Sequence, residues 1–363
     1  MTLTHINLAR GFRGGERQTE LLVRALAERG IAQRIVLREG QPLVSRLADV
    51  PGLERRPIRK PFIRHARALR GGLLHAHDGK GAHLAHAAHV LGGCEYLITR
   101  RVDNRPSGSW LTRRMYRRAR AVVVLSHAIG RVMQDHLPGL ATVRIPSAAG
   151  ELQVDAAEAA ALRAAFGGDC VVGHVGALDD SQKGQHDLIA AARSLAAREP
   201  GWRFVLVGGG RDEAALREAA AGCEAIRFAG QVDNVGDYLA AFDLFAFPSV
   251  HEGLGSTLLD AMRASLPIVA SAVDGIPELV AHERTGLLVP PRDPSALAAA
   301  LSRLRADPSL AARLAAAGRE QVLAYTPRAM ADRYVALYRE LGLDLDGTNE
   351  ARSGAPAGPG DTQ

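Results

Sequence analysis

Short apolar runs alternate with longer stretches of helical period along most of the chain. This is the pattern of parallel strand, helix, strand units whose strands are covered on both faces. In the first half the runs predict strands at 4–8, 34–37, 73–75, 96–99, 121–125 and 142–145, with helices between them. Pro146-Ser147-Ala148-Ala149-Gly150 stops the last run and an Ala-rich helix follows. A second series then predicts strands at 170–176, 204–207, 225–228, 244–247, 268–270 and 286–289. The expected organisation is therefore α/β, with two Rossmann-like doubly wound domains, residues 1–150 and 151–326, facing across a cleft. Helical runs at 294–324 and 327–341 close the chain, and residues 346–363 are rich in Gly, Pro, Ser, Ala and Thr, a composition that predicts a disordered tail.

One stretch, residues 247–262, organises the rest. The apolar run ending at Phe247 reads as a buried strand stopped by Pro248 and Ser249, which puts Glu252, Gly253 and Gly255 on the loop that follows. Ser256 or Thr257 is placed to cap the next helix. A helix N-terminus at the carboxyl edge of an open sheet directs N–H groups and a positive dipole end at a ligand, and phosphate is the natural guest. Glu252 just before those amides and Asp260 one turn inside the helix are acceptor-only carboxylates, suited to gripping hydroxyl groups on either side of a phosphate.

These residues resemble the acidic signature of the retaining GT-B glycosyltransferases of family 4, a Glu and a second Glu with seven residues between them. Here the second position is Asp260, one methylene shorter. The resemblance implies that Glu252 contacts the donor sugar, that Asp260 contacts the ribose, and that the amides of Gly255, Ser256 and Thr257 hold the phosphates. It also implies that the helix after residue 326, over 327–345, crosses back to the first domain. Other motifs follow in the family's order. Gly11, Gly14 and Gly15 precede a helix and match the loop that closes over donor phosphate and acceptor, with Arg17 as an acceptor-side candidate. His75 and His77 at a strand end match the family's His-x-His region and are assigned to the acceptor. Arg101 stands where many relatives carry a histidine that contacts the donor sugar, so the contact there is expected to be to an anionic group. Lys183-Gly184 matches the lysine that meets the donor pyrophosphate, while Ala177 replaces the usual arginine, so Lys183 carries more of that charge. Gly208 and Val232 match positions lining the nucleotide pocket.

Charge sharpens the picture. The net +6 divides into 26 basic against 10 acidic residues over 1–150, or +16, and 19 against 29 over 151–363, or −10. Part of the excess is a run on an expected helix, Arg113, Arg114, Arg117, Arg118 and Arg120. A solvated helix face, anionic lipid headgroups, a phosphorylated acceptor and nucleic acid all remain open for it. His83 and His86 share helical spacing without a completing Glu, Cys94, Cys170 and Cys223 form no CxxC, and the Asp-x-Asp of metal-using glycosyltransferases occurs only at Asp344-Leu345-Asp346, so neither metal nor other cofactor is expected. No basic leader or apolar span appears, so the expected location is cytoplasmic or peripheral at the inner face of the cytoplasmic membrane. The expected reaction is transfer of a sugar from a nucleotide-sugar donor to an anionic glycolipid or saccharide, lipopolysaccharide core being the leading candidate. A sugar-nucleotide epimerase would have no evident use for so basic a first half. A nucleic-acid-binding protein is disfavoured by the lack of any recognised binding motif and by 4% aromatic content.

Overall fold

Each buried apolar run pairs with its neighbours in parallel, and the runs sort into two sheets in a computed structural model that describes residues 2–343 and 345. The first sheet contains β1 (Leu3–Asn7), β2 (Gln33–Arg38), β3 (Leu53–Ile58), β4 (Leu73–Ala76), β5 (Glu95–Arg100), β6 (Ala121–Val124) and β7 (Val143–Arg144), in the order β3-β2-β1-β4-β5-β6-β7. The second contains β8 (Cys170–Val175), β9 (Trp202–Val207), β10 (Ile226–Gly230), β11 (Leu244–Phe247), β12 (Ile268–Ser271) and β13 (Leu287–Val289), in the order β10-β9-β8-β11-β12-β13. The predicted α/β architecture of two doubly wound sheets is what the chain forms.

The predicted strands need two corrections. β3, Leu-Glu-Arg-Arg-Pro-Ile, was not expected, because it lies at the sheet edge with Glu54 to Pro57 exposed and so carries no buried run. Its Pro57 is tolerated there because an edge strand leaves one row of N–H groups unpaired. The strand expected at 142–145 shrinks to the two exposed residues of β7.

In both sheets the strand order reverses next to the first strand of the unit: β1 lies between β2 and β4, and β8 between β9 and β11. Loops leaving the carboxyl ends of such neighbours diverge and open a crevice. The glycine loop after β1, His77 after β4, Lys183 after β8 and Glu252 after β11 all arise at these two switch points.

The last helix, Pro327–Glu340, is started by Thr326, whose Oγ1 accepts the Ala329 N–H at 3.1 Å. It lays Met330, Tyr334, Leu337 and Tyr338 into the core that holds Leu3, Leu22, Leu73 and Leu97 of the first sheet's layer. Side chains of this size, fully buried, each stabilise the docking by roughly 1.5–3 kcal/mol. The predicted tail, 346–363, lies outside the described residues, as do both aspartates of Asp344-Leu345-Asp346. Among the described residues no helix is long and apolar enough to cross a membrane.

Candidate active site

Two helix N-termini meet at the crevice. After β1 the chain turns through Gly11 and enters the helix Gly14–Ala27, whose first turn is closed by Glu16 accepting the Arg13 N–H at 2.9 Å. Opposite it begins the helix Ser256–Arg263. The two are so close that a Cβ added at Gly14 would lie 3.6 Å from Ser256 Oγ, and one at Gly15 would lie 3.5 Å from Arg101 Cδ. The expectation that Ser256 or Thr257 caps the second helix is not met. Its N-cap is Gly255, in the left-handed region at φ 85°, and no side chain caps the helix. Glycine is needed there on conformational grounds, and leaving the first turn without a side-chain cap keeps its amides for a guest.

A cavity of about 590 Å³ lies between these termini, lined among others by Gly14, Gly15, His77, Arg101, Glu252 and Ser256. Glu252 is ion-paired with Lys183, whose ammonium also sits 5.2 Å from the centre of the Phe247 ring. The pair is fixed through backbone: Val250 and His251 N–H groups both donate to the Gln182 carbonyl, at 2.8 and 3.2 Å, tying the loop after β11 to the short helix Asp180–Lys183. Glu252's own N–H donates to Asp274 Oδ2 at 3.0 Å.

Asp260 lies in the first turns of the second helix and is ion-paired. It is 4% exposed and takes two bonds from Arg17, at 2.5 and 3.2 Å, across the interface between the sheets. Burial outweighs the guanidinium and raises its carboxyl above the usual range. Arg17 and Asp260, expected on acceptor and ribose respectively, are paired with each other in this structure. His75, assigned to the acceptor, lies deeper in the first sheet. It is wholly buried, with Nδ1 2.7 Å from Tyr338 Oη and Nε2 2.7 Å from Thr99 Oγ1, so it anchors the last helix and does not reach the acceptor side. His77, two residues on, does reach the cavity wall.

Arg101 is half-buried on that wall, and burial lowers its pKa. Its Nη2 lies 3.4 Å from His77 Nδ1, and its Nε has no hydrogen-bond partner. Gly208, at φ 135°, is required by close approach, since a Cβ there would stand 2.0 Å from the Gly176 carbonyl oxygen. Gly208 and Val232 lie just beyond β9 and β10, and with Thr257 they fall outside the cavity's lining.

Residues 169–307 match the family model described as "Glycosyl transferases group 1". The chain is 37% identical over 155 residues to a GDP-mannose-dependent alpha-(1-6)-phosphatidylinositol monomannoside mannosyltransferase of Mycobacterium tuberculosis, covering 39% of this chain and 40% of that one. It is 29% identical over 316 residues to the alpha-D-kanosaminyltransferase of Streptomyces kanamyceticus, covering 77% and 81%. Against a lipopolysaccharide core biosynthesis glycosyltransferase of Rhizobium meliloti it is 33% identical over 160 residues, covering 43% and 46%. The crystal structure of Anabaena HepE in complex with UDP and glucose superposes with a TM-score of 0.79 at 20% identity, covering 94% of this chain and all of that one, so the two share the GT-B fold. Residues 169–307 thus match the group 1 glycosyltransferases, and the chain as a whole has the GT-B fold. The match to the first of these relatives spans 40% of that protein's length.

Three residues of this site gave little signal in sequence. Asp78 caps the helix Gly79–Gly92 and also accepts the Leu8 N–H at 2.9 Å, joining the ends of β1 and β4 on the cavity wall. Glu16 is buried beside Arg101, and burial raises its carboxyl. His5 sits inside β1 with its ring against those of His75 and His77. Of these, only Asp78 had a readable cue, the N-cap pattern before Gly79-Lys80-Gly81. The nitrogens of His5, His75 and His77 approach within 4.8 Å of one another, but as a hydrogen-bonded network whose partners include Gln33, Thr99 and Tyr338.

The arginine run divides. Arg113, Arg114, Arg117 and Arg118 project from the helix Trp110–Arg118, which buries Thr112, Met115 and Tyr116. Arg120 lies beyond the helix, pairing with Glu95 at 3.4 Å. Beside the arginines Trp110 is 70% exposed, with Arg114 stacked 5.4 Å from its ring centre.

Proposed function

We propose that the protein transfers a sugar from a nucleotide-sugar donor to an anionic glycolipid of the cell envelope, with retention at the anomeric carbon and without a metal ion. The observation that carries this reading is the meeting of two helix N-termini beside the Lys183–Glu252 pair. Converging amides and positive dipole ends favour a pyrophosphate there, and Lys183 adds a full charge. As the bond from anomeric carbon to phosphate oxygen breaks, negative charge grows on the departing diphosphate, where these groups stabilise it. The acceptor oxygen bonds to the same carbon, and its proton leaves with the diphosphate. Glu252, released from Lys183 by the incoming phosphate, accepts hydrogen bonds from the sugar hydroxyls, and Arg101 meets an anionic group. Ribose hydroxyls at Asp260 take the place of Arg17. The decisive experiment is product analysis with a panel of nucleotide sugars and envelope-lipid acceptors. A chain that turns over none of them, or that epimerises donor without acceptor, overturns the reading.

With Lys183 and amides meeting the diphosphate charge, turnover is expected to persist in excess EDTA. Loss of turnover in chelator, restored by Mg²⁺ or Mn²⁺, removes the metal-free route.

The acceptor class rests on surface chemistry. Exposed Trp110 among Arg113, Arg114, Arg117 and Arg118 combines an interfacial aromatic with cations, and each cation near an anionic bilayer contributes about 1 kcal/mol. Names of two relatives, for phosphatidylinositol monomannoside and for lipopolysaccharide core, point to the same class, with the phosphate-bearing lipopolysaccharide core the leading candidate. The enzyme would then work at the inner face of the cytoplasmic membrane. Replacing Arg113, Arg114, Arg117, Arg118 and Arg120 by Gln is expected to release the protein from phosphatidylglycerol-containing liposomes and raise the acceptor KM, leaving donor KM unchanged. If the variant co-sediments with such liposomes as before, the run is a solvated helix face.

A further inference from the structure

Behind the cavity wall runs a line of hydrogen bonds whose direction is fixed at its buried end. The Gln33 side-chain amide donates from Nε2 to the Val23 carbonyl at 2.9 Å, which turns its Oε1 toward His5. Gln33 Oε1 is 3.0 Å from His5 Nε2, and as Oε1 only accepts, His5 Nε2 carries the proton. In a neutral ring His5 Nδ1 is then a bare acceptor. It stands 2.9 Å from His77 Nε2, which must donate. His77 Nδ1 is in turn left bare, facing Arg101 Nη2 at 3.4 Å. An arginine only donates, so the last link agrees with the first. Gln33, His5 and His77 are 4%, 0% and 4% exposed, so water does not compete for these bonds.

We propose that Gln33 and His5 are positioning residues for the transfer reaction: through the tautomer of His77 they hold Arg101 at the cavity wall with its remaining donors directed to the anionic part of the substrate. This rests on the transferase reading above and extends it two residues into the core. The chain has a use because, among the described residues, Arg101 has no ion pair with a carboxylate. Its Nε is unpaired, and Glu16, the nearest buried carboxyl, is occupied by the Arg13 N–H. A lone guanidinium on a cavity wall would otherwise sample several rotamers. Both histidines must stay neutral for the line to work, since a protonated His77 would offer Arg101 a cation in place of a lone pair. Burial favours the neutral form of each, holding His5 to about 4 and His77 well below the ordinary value. The groups facing them are His75, stacked on His77 with ring centres 3.9 Å apart and both nitrogens bonded to Tyr338 and Thr99, Arg101 itself, and Tyr334 and Tyr338 of the last helix. None of these is an anion that would favour imidazolium.

Two measurements test this on the full-length protein. Nitrogen-15 NMR of histidine-labelled protein at neutral pH should show His5 and His77 both as the Nε2–H tautomer. A His77 protonated at Nδ1, or charged at pH 7, overturns the proposal, and this reading does not depend on activity. The second measurement compares His5→Asn, whose Oδ1 replaces the Nδ1 acceptor, with His5→Phe, which has none. Both lose the Gln33 link and should lose similar stability. With the donor and acceptor found for the wild type, His5→Phe should lose about tenfold or more in kcat, in the range that misplacing a group by about an ångström produces, and His5→Asn should recover most of it. Equal kcat in the two folded variants overturns the proposal. A wild type that turns over no nucleotide sugar overturns the transferase reading and leaves the tautomer result to stand or fall separately.

Discussion

Lys183→Ala is expected to lower kcat by about 10²-fold or more, the scale of deleting one preorganised group that stabilises developing charge. The ammonium is ion-paired with Glu252 of the loop after β11, and Ala177 on the loop after β8 supplies no second charge beside it. Its partner makes the variant informative. Glu252 and Lys183 side chains are 16% and 18% exposed, so removing the lysine leaves a poorly hydrated carboxylate where the diphosphate must bind. Donor KM should therefore rise as well. Glu252→Gln removes that repulsion at the cost of a sugar contact, so the double variant should fall short of the product of the two single losses. Steady-state kinetics on the four proteins provides the check. A Lys183→Ala enzyme with kcat close to wild type would show that the ammonium serves only to hold Glu252.

The sequence was most legible where one local rule decided the outcome. Leu244, Phe245, Ala246 and Phe247 form an unbroken apolar run, Pro248 ends it, and the loop after it must fall at the sheet's carboxyl edge. β11 and Glu252 are found there. β3 was hidden because an edge strand needs no apolar run, and its Arg55 and Arg56 face solvent. Pairings across the fold were illegible for a different reason. Arg17 and Asp260 are 243 residues apart, and nothing local to either indicates that they meet. The same holds for His75, assigned to the acceptor from its place at a strand end. Its burial is imposed by Tyr334 and Tyr338 from a helix more than 250 residues away in the chain. The capping of Ser256–Arg263 went astray at closer range. Ser256 and Thr257 have the chemistry of a cap, but Gly255 alone accepts φ 85°, and the backbone turn took precedence over the side-chain bond.

Acid should destabilise this protein steeply through its buried histidines. His5 and His174 are fully buried, and burial holds each to about 4, against 6.5 for the exposed side chain. His174 is locked as His5 is, with Nδ1 3.1 Å from the Ala246 carbonyl oxygen and Nε2 3.3 Å from Gln185 Nε2. Because the folded value lies below the unfolded one, the unfolded chain binds more protons between pH 6.5 and 4, and stability falls with pH across that window. Each of the two histidines then costs about 3 kcal/mol by pH 4. His75 and His77 act in the same direction. Asp260, Glu16 and Asp78, whose carboxyls burial raises, act oppositely, since the folded state takes up their protons first as pH falls. Those carboxyls offset part of the histidine contribution. Total stability of a domain is about 5–15 kcal/mol, so the histidine contribution alone is of the size needed to unfold the protein near pH 4 to 5. Urea denaturation between pH 7.5 and 5 should show stability falling by more than about 1.4 kcal/mol per pH unit below pH 6, the slope of a single proton. His174→Gln should make that slope shallower by up to one proton's worth. Stability that stays level from pH 7 to 5 would mean that these rings take up protons in place, and that neither core histidine is held neutral by the fold.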